Sequence, residues 1–197
     1  HGFLVGVCIP VAGGAVNGQN LAAVGNIKGD VGLHQRRNVQ GTGQNGSMAG
    51  RGTLLRHKSQ LTLFKAVENN AAAAQLPDEN IQCCGPLLIL DDVDEQQANV
   101  DHCNIEHPRT VVGVTADGRV LFVTVDGRFE NKAIGMSTTM LQELMRLLGA
   151  THALNLDGGG SSTMYIKDRG VVNHVCNSGS TWDKVVERKV ASILYVK

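Results

Sequence analysis

Apolar and polar positions follow their clearest pattern in the second half of the chain. Thr110-Val111-Val112-Gly113-Val114-Thr115 and Val120-Leu121-Phe122-Val123-Thr124-Val125 are two β-branched runs flanking Ala116-Asp117-Gly118-Arg119. Asp-Gly between such runs signals a hairpin, because Gly accepts the positive φ of the tight turn. The pattern predicts antiparallel strands over 109–115 and 119–125. Leu141, Leu144, Met145 and Leu148 then recur at i, i+3, i+4 and i+7, which predicts a helix over 139–148. Thr139 and Gln142 fit a capping box at its start, and Gly149 fits a C-terminal stop. Ala153 to Leu156 reads as a short buried strand, and Val190 to Val196 as a closing one.

The first half is less regular. Gly2 to Val16 is uncharged and mostly apolar; it lacks the basic start of a signal peptide and reads as a buried strand. The Gly-rich stretch 40–52 predicts an exposed loop, and Leu54 to Phe64 two short strands. Glu68 to Asn80, with four consecutive Ala, fits a short helix or an irregular segment. Gly85-Pro86 introduces Leu87-Leu88-Ile89-Leu90, a buried-strand pattern. The acidic run Asp91-Asp92-Val93-Asp94-Glu95 reads as a solvated turn, since it lacks the alternating spacing and Gly of a calcium loop. Strands dominate and one helix is clear. The expected fold is α+β, or mixed α/β: one domain over 1–197, with a mostly antiparallel or mixed sheet and one or a few packed helices.

Composition narrows the function. The 197 residues include 18 basic and 18 acidic side chains, and the zero net charge lacks the basic footprint of a nucleic-acid binder. No apolar run reaches the roughly 18 residues of a spanning helix, so membrane insertion is not expected. The five cysteines contain no CxxC pair; buried free thiols are the default, with one or two disulfides the alternative in an oxidising compartment. His102, Cys103 and His107 have metal-compatible spacing but no evident fourth ligand nearby, so no metal or other cofactor is expected. Asn45-Gly46-Ser47 is a glycosylation sequon.

The densest chemical signal is Asn155-Leu156-Asp157-Gly158-Gly159-Gly160-Ser161-Ser162-Thr163. A strand ends here in a carboxylate, three glycines and three hydroxyls. One reading is that the glycines let backbone N–H groups approach an anion closely; the other is a plain tight turn with a solvated Asp. No Lys follows directly, which argues against a nucleotide P-loop. Arg109 opens one hairpin strand, while Asp126 and Arg128 follow the other. Two guanidiniums beside a hydroxyl-rich loop would make a cradle suited to phosphate. Taken singly, each Arg fits a surface or salt-bridge residue.

His107-Pro108-Arg109-Thr110, Val125-Asp126-Gly127-Arg128, Gly135-Met136-Ser137, Leu148-Gly149-Ala150, Asn155 to Thr163, Val172-Asn173 and Glu187-Arg188 occur together in an order and spacing that resembles the phosphodiester glycosidase family. The resemblance is strong over residues 107–196 and extends more weakly to Gly85. Over 1–84 it is poor: Asn17-Gly18 is followed by Gln19-Asn20-Leu21 where the family usually has aromatics. The family domain is also usually longer, as if this chain were truncated or short of loops.

The resemblance implies hydrolysis of a sugar-1-phosphate diester, of the GlcNAc-1-phosphodiester type, at the anomeric carbon. It implies work outside the cytoplasm and a small-molecule or glycan substrate. On it, Asp157 is the carboxylate facing the anomeric centre, Glu187 the second carboxylate, and Asp126 an orienting partner or substitute. Arg109, Arg128 and Arg188 hold the phosphate. Gly158, Gly159 and Gly160 shape the loop, while Ser161, Ser162 and Asn173 bind sugar hydroxyls or phosphate oxygens. For Glu187-Arg188 an internal salt bridge is the structural alternative. Two rival functions stand: a non-catalytic phosphoglycan-binding module, and a metal-dependent phosphoesterase.

Overall fold

The computed structural model describes residues 3–9, 22–28, 31–35, 52–57, 60–65, 81–190 and 192–196. The strands in chain order are β1 (Phe3–Ile9), β2 (Ala22–Lys28), β3 (Val31–Gln35), β4 (Gly52–His57), β5 (Gln60–Lys65), β6 (Ile81–Cys84), β7 (Leu87–Leu90) and β8 (Val93–Asp94). A short helix α1 (Asp101–Asn104) leads to β9 (Arg109–Thr115) and β10 (Val120–Val125). Helix α2 (Thr138–Leu147) and β11 (Ala150–Asn155) follow, then β12 (Tyr165–Ile166), β13 (Gly170–Val171) and β14 (Ser192–Val196). The main sheet runs β2-β1-β10-β9-β11-β7-β8. β1 lies parallel to β10, and the other neighbours are antiparallel. This is the expected α+β arrangement with a mixed, mostly antiparallel sheet.

Alternation along β9 and β10 builds two apolar faces. Val111, Leu121, Val123 and Val125 pack with Leu141, Leu144 and Met145 of α2. Val112, Val114, Val120 and Phe122 turn to the opposite face, beside Leu87, Leu154 and Leu156. Period-two side-chain direction produces this division from a nearly unbroken hydrophobic run. Gly113 sits mid-strand because α2 needs the space: a Cβ there would lie 2.4 Å from the terminal methyl of Met145.

The turns follow local chemistry. Gly118 adopts φ +79°, and Asp117 accepts from Thr115 and from Arg119 Nε. Asp91 and Asp92 both have positive φ, as a two-residue hairpin between β7 and β8 requires. Asp92 and Asp94 also pair with Arg146 of α2, which ties the acidic turn to the helix.

The helix start differs from the expected capping box. Ser137 is the N-cap, its Oγ accepting from Met140 N at 3.3 Å. Gln142 instead donates to the Leu88 and Glu95 carbonyls at 2.8 and 2.7 Å. These two carbonyls, which also accept from Glu95 N and from Gln97, draw the amide away from the helix start. Gly149 ends the helix at φ +82°, as expected. β4 and β5 pair as the two strands expected over 54–64, and β14 closes against β3. The 68–80 segment lies outside the described residues, as does the 40–52 loop apart from Gly52.

Among the described residues no helix is long and apolar enough to cross a membrane.

Candidate active site

Antiparallel pairing collects the candidate residues at one end of the sheet. Arg109 at the start of β9 stands opposite Val125 at the end of β10. Asn155 at the end of β11 stands opposite Val111, near the same end. The segments that follow, 126–129 and 156–163, therefore emerge beside one another although about thirty residues separate them in sequence.

Three close backbone approaches shape this end. Gly127 lies so near Pro108 N and the Gly135 backbone that a Cβ would sit 2.8 to 2.9 Å away. Gly135, at φ +108°, presses on the His107 backbone, and His107 and Met136 exchange hydrogen bonds at 3.1 to 3.2 Å. Arg128 is thereby held with φ +60°, a conformation that costs a non-glycine residue about 1–2 kcal/mol. Its guanidinium reaches the glycine loop, 3.2 Å from where a Cβ of Gly159 would stand, and its Nη2 contacts His107 Nδ1 at 3.2 Å.

Arg128 and Asp157 are exposed on this surface, and Asp157 Oδ1 accepts from Gly158 N at 2.9 Å. His102 lies close enough to Asp157 to sense its charge. Burial and Arg109 hold the His102 imidazole below its usual range, with Asp157 opposing them. His107 stacks on His102 with ring centroids 6.4 Å apart. Burial and then Arg128, Arg109 and His102 lower the His107 pKa, with Glu106 opposing.

Arg109 does not join this surface. It is 1% exposed; Nε donates to the Met136 carbonyl at 2.9 Å, and Nη2 to the His102 and Ile105 carbonyls at 2.7 and 3.1 Å. Carbonyls left by α1 and by the 127–136 loop claim the fork expected to hold phosphate. The guanidinium is a buried fastener beneath the site.

Asp126 is likewise 1% exposed. Its Oδ1 accepts from His174 N at 2.9 Å and from Asn173 Nδ2 at 3.4 Å. Its Oδ2 is enclosed without a partner among the described residues. Burial raises its pKa against those hydrogen bonds. Asn173 is also internal: its Oδ1 accepts from Met164 N and its Nδ2 donates to the Ser162 carbonyl. Ser162 Oγ accepts from Thr110 at 3.1 Å. These contacts make Ser162 and Asn173 braces of the loop, where sugar contacts were expected. Ser161 Oγ is enclosed without a partner among the described residues.

Of the two readings of the glycine loop, its contacts favour the tight turn over an open row of N–H groups for an anion. Gly158 N bonds the Asp157 carboxylate, Gly159 N the Pro108 carbonyl, and Ser161 N and Ser162 N close a 3-10 turn. Those four N–H groups are engaged within the protein. Smallness is what the run supplies: a Cβ at Gly158 would meet Pro108 O at 2.7 Å, and one at Gly160 would meet Cys176 O at 3.1 Å.

Glu187 and Arg188 are exposed, and no hydrogen bond or ion pair links them to this cluster or to each other among the described residues. Among the described residues neither side chain forms an internal salt bridge. No three His, Cys, Asp or Glu side chains among the described residues are placed to hold a metal.

Sequence reasoning named His107 only in the His102, Cys103 and His107 set and in the His107-Pro108-Arg109-Thr110 motif, with no role at the site, and it missed an aromatic clamp. His174 stacks on Trp182 at 3.6 Å, and Phe129 meets both rings edge-on. His174 Nδ1 lies 2.7 Å from the Trp182 carbonyl. That oxygen only accepts, so Nδ1 carries the proton. The clamp ties the 174–182 loop to the turn bearing Asp126 and Arg128. Asn173 stands in the Val172-Asn173 motif, but nothing local in the sequence points to His174 or to Trp182 eight residues beyond it.

The strand ends of this α+β sheet present a carboxylate, an arginine at positive φ and a histidine pair around one glycine turn. A family model described as phosphodiester glycosidase matches residues 12–197, and the chain belongs to that family. The fold is similar to the zebrafish N-acetylglucosamine-1-phosphodiester alpha-N-acetylglucosaminidase catalytic domain auto-inhibited by pro-peptide. The TM-score is 0.59 at 18% identity, over 85% of this chain and 63% of that one. The SPbeta prophage-derived uncharacterized protein YomE of Bacillus subtilis (strain 168) is 34% identical over 70 residues, which are 36% of this chain and 11% of that protein. The chain thus spans less than two thirds of either relative.

Proposed function

We propose that this protein hydrolyses a sugar-1-phosphate diester at the anomeric carbon, with N-acetylglucosamine-1-phosphodiesters as the substrate type. The observation that carries the reading is the pairing of opposite charges around one turn: exposed Asp157 before the glycines, and Arg128 packed over Gly159. A phosphodiester brings both requirements together. Its anion meets the guanidinium, and the positive charge that develops on the sugar ring at bond breaking meets the carboxylate. The departing phosphate is already a stable anion, so protonating it matters little. Asp157 serves as base or nucleophile at the anomeric carbon. Asp126, buried and bonded to the 173–174 backbone, acts as a positioning residue. Glu187 stands as the candidate second carboxylate, and Arg188 as a further phosphate contact, on sequence resemblance alone. That resemblance also supports work outside the cytoplasm.

The test incubates the protein with a GlcNAc-1-phospho-mannoside or a UDP-sugar, with and without chelator. Free sugar plus a phosphorylated co-product, insensitive to chelator, is the expected result. Asp157→Asn keeps the shape but removes the charge, and should lower kcat by about 100-fold or more with folding intact. Near wild-type turnover in that variant would show the carboxylate to be structural. Release of inorganic phosphate, or loss of activity with chelator, would replace this reading with a phosphoesterase. Binding without turnover would replace it with a phosphoglycan-binding module.

A further inference from the structure

With Arg109 sealed beneath the site, no second guanidinium is bonded into the cluster around Arg128 among the described residues. His107 is the side chain in hydrogen-bond contact with Arg128. Its Nδ1 lies 3.2 Å from Arg128 Nη2, and a guanidinium only donates, so Nδ1 accepts and the imidazole proton is on Nε2. Its backbone is fixed on two sides, by the exchange with Met136 and by the close approach of Gly135. Arg128 is held in a left-handed conformation that directs the pair to the glycine turn. We propose that His107 is a phosphate-binding residue of this site, presenting Nε2–H beside the Arg128 guanidinium so that the two side chains together grip the phosphodiester anion.

The inference rests on the proposed hydrolase reading for the identity of the anion, but it is tested by binding alone. The charged and titratable groups around His107 are Arg128, Arg109, His102 and Glu106, with Asp157 beyond His102. The three basic neighbours and burial disfavour the imidazolium in the free protein, and Glu106 only partly offsets them. An anion seated between Arg128 and His107 takes over the Arg128 Nη2 donor, frees His107 Nδ1 and supplies the opposing negative charge, so its binding draws a proton onto Nδ1. Affinity should therefore rise as pH falls toward the imidazole range. It should do so with a ligand that does not itself titrate there.

The probe is a methyl phosphodiester of methyl mannoside, which carries no glycosyl phosphate bond and stays a monoanion in this range. Calorimetry in buffers of different ionisation enthalpy measures both its affinity and the protons taken up. The wild-type protein should bind it with proton uptake. His107→Asn keeps an acceptor for Arg128 but loses the Nε2 donor; it should weaken binding about tenfold and abolish the uptake. His107→Gln, whose amide nitrogen reaches the Nε2 position, should recover part of the affinity without the uptake. Unchanged affinity and uptake in His107→Asn, with its folding intact by circular dichroism, would overturn the assignment. Equal loss in both variants without any wild-type proton uptake would also overturn it, leaving His107 as support for Arg128. If the wild type binds with uptake yet never turns over a glycosyl phosphodiester, the hydrolase reading fails while the His107 assignment holds.

Discussion

Replacing Gly158 by Ala separates two explanations of the glycine run. Gly158 has φ −122° and ψ −156°, an extended conformation open to any residue, so backbone preference adds little cost. The new Cβ would lie 2.7 Å from Pro108 O, against an ordinary contact of about 3.5 Å. Pro108 O is already bonded to Gly159 N at 2.9 Å, and the adjoining Arg109 is fastened by three hydrogen bonds, so the strand ends cannot part freely. Overpacking of this kind costs about 1–3 kcal/mol, and a weakened hydrogen bond adds about 1 kcal/mol. The expected loss is about 2–4 kcal/mol, a fall of roughly 5–15 °C in Tm for a chain of this length. Gly170→Ala supplies the control. It has φ +78° with nothing within 4 Å of the new Cβ, so it should cost only the strain of about 1–2 kcal/mol. Urea denaturation of both variants, with phosphodiester binding measured alongside, decides the matter. A Gly158→Ala protein as stable as wild type that has lost only phosphodiester binding would refute the packing account and return these glycines to the ligand.

Arg109→Lys keeps the charge but loses the fork that reaches three carbonyls, and should destabilise the fold by about 3 kcal/mol or more by denaturant titration; a stable variant lacking only phosphodiester affinity would contradict the buried-fastener role. Asp126 holds its proton to higher pH in the folded protein than in the unfolded chain, so its contribution to stability is full below the unfolded carboxyl value and lost as pH rises through the raised folded one. Urea midpoints across that acidic window should fall relative to Asp126→Asn as pH rises; a difference that grows with pH would reverse the sign and the argument. Ser137→Ala should cost about 1 kcal/mol as the loss of the true cap, whereas Thr139→Ala should be nearly neutral by the same measurement.

The sequence by itself determined the elements whose causes are local. The Asp117-Gly118 hairpin, the α2 stripe, its Gly149 stop and the acidic turn at 91–95 each follow from residues within a few positions of one another. Those elements suffice to bring Arg109, Asp126 and Asp157 to one end of the sheet, since antiparallel pairing sets strand ends side by side. Their exposure was decided elsewhere. A guanidinium donates to backbone carbonyls as readily as to a phosphate. Only the folded arrangement shows that carbonyls from 102, 105 and 136 reach Arg109 first, while Arg128 stays at the surface. The same holds for the helix cap, where Leu88 and Glu95 claim Gln142 from more than forty residues away. The glycine loop stays ambiguous in the sequence because small residues serve ligands and neighbouring backbones alike, and the neighbours here, Pro108 and Cys176, come from distant segments. His107 was hidden for the corresponding reason. Its tautomer is fixed by Arg128, twenty-one residues along the chain, through a contact that exists only once Gly127 and Gly135 have folded against Pro108 and His107.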